Sequence, residues 1–432
     1  MIQVSRATTR TRNSQQLDHY ENTYSHKNEH DFRRVTSQTN IVRLLVSVVV
    51  FAIGTGKALA DLVPMNNGEL ASISGQAMFS IDQYSHPDPT ENTNYTRINL
   101  GLDVETVLNA DVLELGRYER AGEKPGTSDV LINNFGLGNI YTSSYYDNNP
   151  KSPRPLKENG EEYVDGELVP FTLHDPFIEF SFNEATGQPT GVRIGFGDSK
   201  GFLSGNIETL TGNINVDILD RGEGLTEASS NGNLFDQVVI ALAPYLAGGS
   251  PIYTKAELVD MEGELDPVRA EYAGVPDGEK FVIEDVSGAT RWLINTVSPL
   301  NSSTIENPNC SFFWCPAGDI IITVEDCLVL GITACFDLGD FNSLPIGKIE
   351  EINGKRYITD AVPGVFISLQ SQDVDWLIDT ANLSPNPEDF LRATQGAFLN
   401  IPNSAVEFNL AEALNGIDRV RTEYIDRGVG LF

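Results

Sequence analysis

The chain has 432 residues, with 29 Lys+Arg against 61 Asp+Glu and a net charge of −32. That length holds one large folded unit or two smaller ones. The acidity excludes nucleic acid and anionic lipid as natural partners, because both carry the same sign of charge; it suits a solvated surface in a salty environment or, more narrowly, divalent cations.

Residues 1–41 form a polar extension with Arg6, Arg10, Arg12, Arg33 and Arg34 and no apolar periodicity. They read as an extended basic leader, or as sequence upstream of the true start. Residues 42–60 follow the order of a secretory signal peptide: Arg43, an apolar run from Leu44 to Ile53, a break at Gly54-Thr55-Gly56, and Ala58-Leu59-Ala60 as the cleavage site. The apolar run is shorter than the ~20 residues a membrane span needs. The expected product starts at Asp61 and is exported to the periplasm, the cell surface or the medium. Residues 1–60 hold 8 Lys+Arg and 4 Asp+Glu, so that product carries 21 basic and 57 acidic residues and a net charge of −36.

Asp61 to Ala77 allows one short amphipathic helix ended by Gly75. Within it Glu69, Leu70, Ile73, Ser74, Gly75 and Gln76 spell an E-L-x-x-[IV]-[ST]-G-Q element. This element resembles one found just after the signal in uncharacterised envelope proteins of gammaproteobacteria. The tail segments PGVFISLQ, GAFLNIP and FNLAEALNGIDRVRTEYIDRG are similar to such proteins too. The resemblance implies export and a β-rich fold, and no activity.

From Thr96 the pattern has period two, with Ile98, Leu100, Leu102 and Val104 alternating with polar residues. Asp111–Tyr118 and Asp129–Ile140 read as further strands, and the Pro-, Gly- and charge-rich stretch 147–166 reads as loop. Phe177–Phe182 is a strand; beyond a turn, Val192, Ile194 and Phe196 alternate with Arg193, Gly195 and Gly197. Short Gly-punctuated strands then run to Ile218. The fold class is mainly β, with layered antiparallel sheets as a β-roll, a sandwich or a short solenoid, and a few short helices. We divide the exported part into a β-rich region 61–220 and a second, 221–432, with the two allowed to form one continuous domain. In the second, Leu234–Leu246 reads as a helix or a buried strand, and Ala256–Ala273 leans helical. Phe281–Glu284, Arg291–Thr296, Asp319–Val324 and Cys327–Thr333 read as strands. Asn353-Gly354 marks a tight hairpin. Val365–Leu369 and Val406–Leu410 are strands, and Ala411–Asn415 is a helical turn ended by Gly416. A closing aromatic, Phe432, brings an outer-membrane barrel to mind, but Gly430, Gly428 and Asp426 break the outward alternation.

All four cysteines, Cys310, Cys315, Cys327 and Cys335, are clustered. In an exported chain such a set reads as disulfides. A four-cysteine zinc site competes, but the spacing of the second pair is too wide for a knuckle. Locality favours Cys310–Cys315 and Cys327–Cys335 over the nested pairing Cys310–Cys335 with Cys315–Cys327.

No catalytic residue and no cofactor-binding residue is assigned. Past the signal, histidine is limited to His86, in a Pro-flanked turn, and His174. His174 and Asp175 are adjacent and would point to opposite faces of a strand. Nucleophile elbow, metalloprotease, P-loop and dinucleotide motifs are all missing. The tryptophans available as sugar platforms are Trp292, Trp314 and Trp376, of which Trp314 is expected to pack on its disulfide loop. Calcium is the one cofactor with candidate loops, at Asp217, Asp220 and Glu223 and at Asp260, Glu262, Glu264 and Asp266. The resulting expectation is a non-enzymatic structural, surface or binding protein of the envelope. Its partners are unspecified beyond envelope or surface components and self-association. The alternatives are a secreted carboxylate-dependent hydrolase, acting for example on polysaccharide, and a calcium-dependent adhesin-like protein.

Overall fold

The structure, a computed structural model, describes residues 79–120, 125–297, 303–307, 309–311, 313–382 and 384–423. The signal segment, the E-L-x-x-[IV]-[ST]-G-Q element and the C-terminal residues lie outside them. The fold is mainly β, built from several open sheets with mostly antiparallel neighbours. A seven-stranded sheet runs in the order Phe79–Ser85, Thr93–Leu100, Phe177–Asn183, Pro189–Gly195, Phe366–Gln370, Gly396–Ile401 and Gly212–Ile214. The last pair is parallel. Strand Pro189–Gly195 pairs with Phe366–Gln370, and Asp198–Thr209 pairs with Ser343–Ile346, so residues before and after 220 share sheets.

The seven-stranded sheet turns its charges inward. One row crosses it as Asp82, Arg97, Glu179, Arg193 and Ser368, each beside the next. Arg193 and Glu179 are fully buried, and Nε of Arg193 donates to Oε2 of Glu179 at 2.5 Å. The hydroxyl of Tyr84 donates to the other carboxylate oxygen at 2.7 Å. The Arg193 guanidinium also lies over the rings of Phe177, Phe366 and Trp376 at 4.9–5.1 Å, where cation–π attraction offsets part of its desolvation. The next row over is five isoleucines, Ile81, Ile98, Ile178, Ile194 and Ile367, on the opposite face. Ile81 and Ile194 are exposed. The alternation around Val192 and Ile194 therefore has the reverse polarity to a usual half-buried strand. Glycine makes this fit. Gly191 and Gly195 flank Arg193 on the inner face, and a Cβ at Gly195 would sit 2.2 Å from the Phe177 ring. The hairpin of Val374–Leu377 and Phe390–Ala393 covers this face with Trp376, Val374 and Ala393.

The larger apolar core draws on both halves of the chain, with Val130, Ile132, Phe171 and Ile207 joined to residues of the second half. Its sheet includes Val216–Arg221, Pro251–Val259, Lys280–Val286 and Gly318–Thr323. Leu234–Leu246 is a helix. Asn233 Oδ1 accepts from the amides of Phe235 and Asp236, and Asp236 Oδ2 accepts from the Asn233 amide, a reciprocal cap that settles helix against strand. Residues 291–296, expected as strand, belong to the helix Gly288–Val297. The missed signal is Ser287, whose hydroxyl accepts from the Thr290 amide as an N-cap. The helical reading of Ala256–Ala273 is also corrected. The strand Pro251–Val259 ends at Asp260, whose Oδ1 accepts from the amides of Glu262 and Glu264 at 3.0 Å and closes a turn. Cys327–Thr333 is a hairpin rather than one strand, with Leu328 opposite Thr333 and Val329 opposite Ile332. Its turn residues Leu330 and Gly331 both have positive φ. Asn353 and Gly354 make the expected tight turn between Ile352 and Lys355, with φ of 53° and 77°.

Removing one member of the buried pair leaves the other charge uncompensated, a loss of about 3–5 kcal/mol. Glu179→Ala is therefore expected to lower the urea midpoint sharply. The double variant Glu179→Met/Arg193→Met is expected to recover most of it. A double variant no more stable than Glu179→Ala would refute this account of the sheet.

Candidate functional site

Between the second-half sheet and the two helices lies a cavity of about 100 Å³. Strand Pro251–Val259 sends Thr254 and Ala256 into its wall, with Leu258 buried on the same face. The neighbouring strands add Ile218, Phe281, Ile283, Ile320 and Ile322. The helix Leu234–Leu246 contributes Val239, Ile240, Ala243 and Leu246, and Gly288–Val297 contributes Thr290 and Ile294. Among the described residues no charged side chain lines it. Alanines at 243, 256, 273 and 334 line the wall where larger residues would fill the space.

Two threonine hydroxyls in this wall differ. Thr290 Oγ1 is engaged with Ser287 Oγ at 2.8 Å and with the Leu246 carbonyl at 3.1 Å. Thr254 is 1 % exposed, and its hydroxyl has no hydrogen-bond partner among the described residues. A buried unpaired hydroxyl costs roughly 1–3 kcal/mol. An unfilled cavity of this size costs about 2 kcal/mol more, at roughly 24 cal/mol per Å³. Two unfavourable features at one place mark it as the candidate site.

One of the two disulfides holds part of its wall. Cys310 and Cys315 are bonded, as are Cys327 and Cys335, with Cα–Cα distances of 4.3 and 5.4 Å. The second bridge holds the 328–333 hairpin, and Val329, Leu330 and Ile332 from that hairpin reach the cavity wall. The first closes a small loop in which Ser311 Oγ donates to the Trp314 carbonyl and accepts from the Trp314 amide. Trp314 does not pack on that loop; it projects, 66 % exposed, beside an exposed Phe313.

The remaining sequence candidates do not converge. Asp220 accepts from the Leu410 and Arg221 amides, Asp217 faces the Tyr253 hydroxyl at 3.5 Å, and Asp260 closes its own turn. Among the described residues no group of three or more His, Cys, Asp or Glu side chains is arranged to hold a metal ion. His174 pairs with Asp103 across neighbouring strands, Nδ1 to Oδ1 at 2.8 Å, and not with Asp175. That partner is 71 residues away and has no local sequence signal. His86 accepts from the Asp88 amide at 3.1 Å and packs against the Phe390 ring. Trp376 is buried beside Arg193. A second, smaller cavity of about 30 Å³ has Glu105, Glu158, Tyr163 and Lys200 in its wall. Burial there pulls the Lys200 ammonium down from its usual range and, with help from Glu105, Glu167 and Glu158, pushes the Tyr163 phenol up to about 12. It has room for about one water. No family model, curated protein or solved structure matches the chain.

Loops of this size make each bridge worth about 2–2.5 kcal/mol through the unfolded state. The Cys327→Ala/Cys335→Ala variant is expected to lose about that much stability in urea unfolding. Non-reducing peptide mapping should recover both local bridges. Four free thiols in the folded protein would contradict the structure.

Proposed function

We propose that the chain is an exported, non-enzymatic binding protein of the cell envelope that takes a small apolar ligand carrying one hydrogen-bonding group. The observation that carries this reading is the Thr254 hydroxyl, unpartnered in the wall of an uncharged cavity of about 100 Å³. Apolar walls supply affinity by burial, and one placed polar atom supplies orientation. An apolar cavity of roughly 150 Å³ accepts benzene, so a ring or a short alkyl end of that class fits this one. The two disulfides are compatible with an oxidising location. Export through the 42–60 segment supports placing the protein outside the cytoplasm. No observation among the described residues favours the hydrolase or adhesin alternative.

Benzyl alcohol and toluene separate the two parts of the site, because they share a ring and differ by a hydroxyl. Both are expected to raise Tm and to give saturable heats in calorimetry, with the alcohol preferred. Thr254→Val is expected to leave toluene binding unchanged and to weaken the alcohol about 2–10-fold, the equivalent of one hydrogen bond of roughly 0.5–1.5 kcal/mol. Ala256→Leu fills the cavity and is expected to abolish both. If neither ligand stabilises the wild type, or Ala256→Leu binds as well as the wild type, the cavity is not the site.

A further inference from the structure

The helix Leu234–Leu246 is apolar on both sides. Its inner side lines the cavity. Its outer side presents Leu234, Val238, Leu242 and Tyr245, with exposures up to 86 % at Tyr245. Its single carboxylate, Asp236, is buried in the N-terminal cap. Gly288–Val297 lies alongside, joined through Thr290 to the Leu246 carbonyl, and shows Trp292 and Leu293 to the outside while its arginine, Arg291, is buried. Arg291 Nη1 donates to the Pro316 carbonyl at 2.8 Å, which sets the Cys310–Cys315 loop and its outward Trp314 next to this helix. The exposed sides of both helices carry no charged residue, in a chain with 61 Asp+Glu. A helix apolar all round belongs in an apolar environment.

We propose that this face, two helices and the disulfide loop, docks on the surface of a zwitterionic lipid bilayer, lying in the interface without crossing it. Three observations choose this occupant. Two of the chain's three tryptophans and an exposed tyrosine sit here, the residue types that favour the headgroup boundary. The face is continuous with the cavity through one helix, so an apolar ligand dissolved in lipid has a single wall to pass. Charge weighs against the rivals: a second copy would bring two bodies of net −36 together, and an anionic bilayer would repel one, whereas a zwitterionic bilayer carries no net charge to oppose it. Only the second of these observations rests on the cavity holding a ligand; the aromatic residues and the charge stand without it.

The test is flotation of the exported protein with phosphatidylcholine vesicles, read beside tryptophan fluorescence with brominated lipid. The wild type is expected to float, with blue-shifted and quenched emission. Trp292→Phe/Trp314→Phe is expected to lose most of the quenching, because Trp376 is buried in the other core. Val238→Asp/Leu242→Asp changes two exposed positions and is expected to reduce the floated fraction at least tenfold with Tm unchanged. Should that variant lose fold, Leu242→Ser at the same face supplies the comparison. Vesicles with half phosphatidylglycerol are expected to bind less, and the difference should shrink as salt rises. Ala256→Leu is expected to float like the wild type, so loss of ligand binding and loss of docking are told apart. A wild type that stays with the lipid-free fraction overturns the proposal. So does an unimpaired Val238→Asp/Leu242→Asp, or a lipid-independent dimer that this variant dissolves.

Discussion

The charged row of Asp82, Arg97, Glu179 and Arg193, buried from Arg97 onward, is the constraint on which the seven-stranded sheet depends. Alternating charges on four consecutive strands can meet in one register only. A slip of one residue on any of these strands would place an isoleucine against a guanidinium and expose an arginine's partner. The row does not obtain this specificity cheaply. Two charges in a dry interior repay their desolvation only with close geometry and further contacts. The contacts are present: the 2.5 Å bond of Arg193 to Glu179, the Tyr84 hydroxyl, and three aromatic rings around the guanidinium. The pair is therefore better understood as a device for register than as a source of net stability.

The same row explains what the sequence conceals. Periodicity reveals that a strand exists and that it has two faces, but not which face is inside. FIEFSF and GVRIG alternate as expected, and hydropathy would bury Phe180 and Ile194. The structure buries Glu179 and Arg193 instead, because their partners come from other strands, up to about a hundred residues away in the case of Tyr84. The glycines at 191 and 195, which read as strand punctuation, are there to make room for a guanidinium and a ring. Local features were more legible. The Asn353-Gly354 hairpin, the Gly416 stop and the two short disulfides all follow from neighbours in sequence. The helix Gly288–Val297 was lost because Val, Ile, Trp and Thr suggest strand, while a single capping serine decides otherwise. The candidate site was not legible at all. A cavity is a property of what many separated segments fail to fill, and no motif records it.

The helix Leu234–Leu246 joins the two functional readings. In a water-soluble body, a helix over a core keeps one apolar stripe and covers the other side with charge. Here the chain has acidic residues in excess, yet the helix uses its single carboxylate for capping and turns aliphatic and aromatic residues outward. Exposing them to water is unfavourable in the free protein, and so is leaving Thr254 unpaired over a poorly filled core. Both costs vanish under one condition: an apolar phase outside the helix and an apolar molecule inside it. The stable covalent frame lies where that condition would load the structure. One bridge holds the hairpin that forms part of the cavity wall, and the other holds the loop that displays Trp314. The smaller cavity beside Glu105 and Lys200 is about 30 Å³. Fixed register and loose packing thus belong to different sheets, each drawing on both halves of the chain. One sheet is fixed in register by buried charge, and one core is left loose behind a helix that has no need of water on either side.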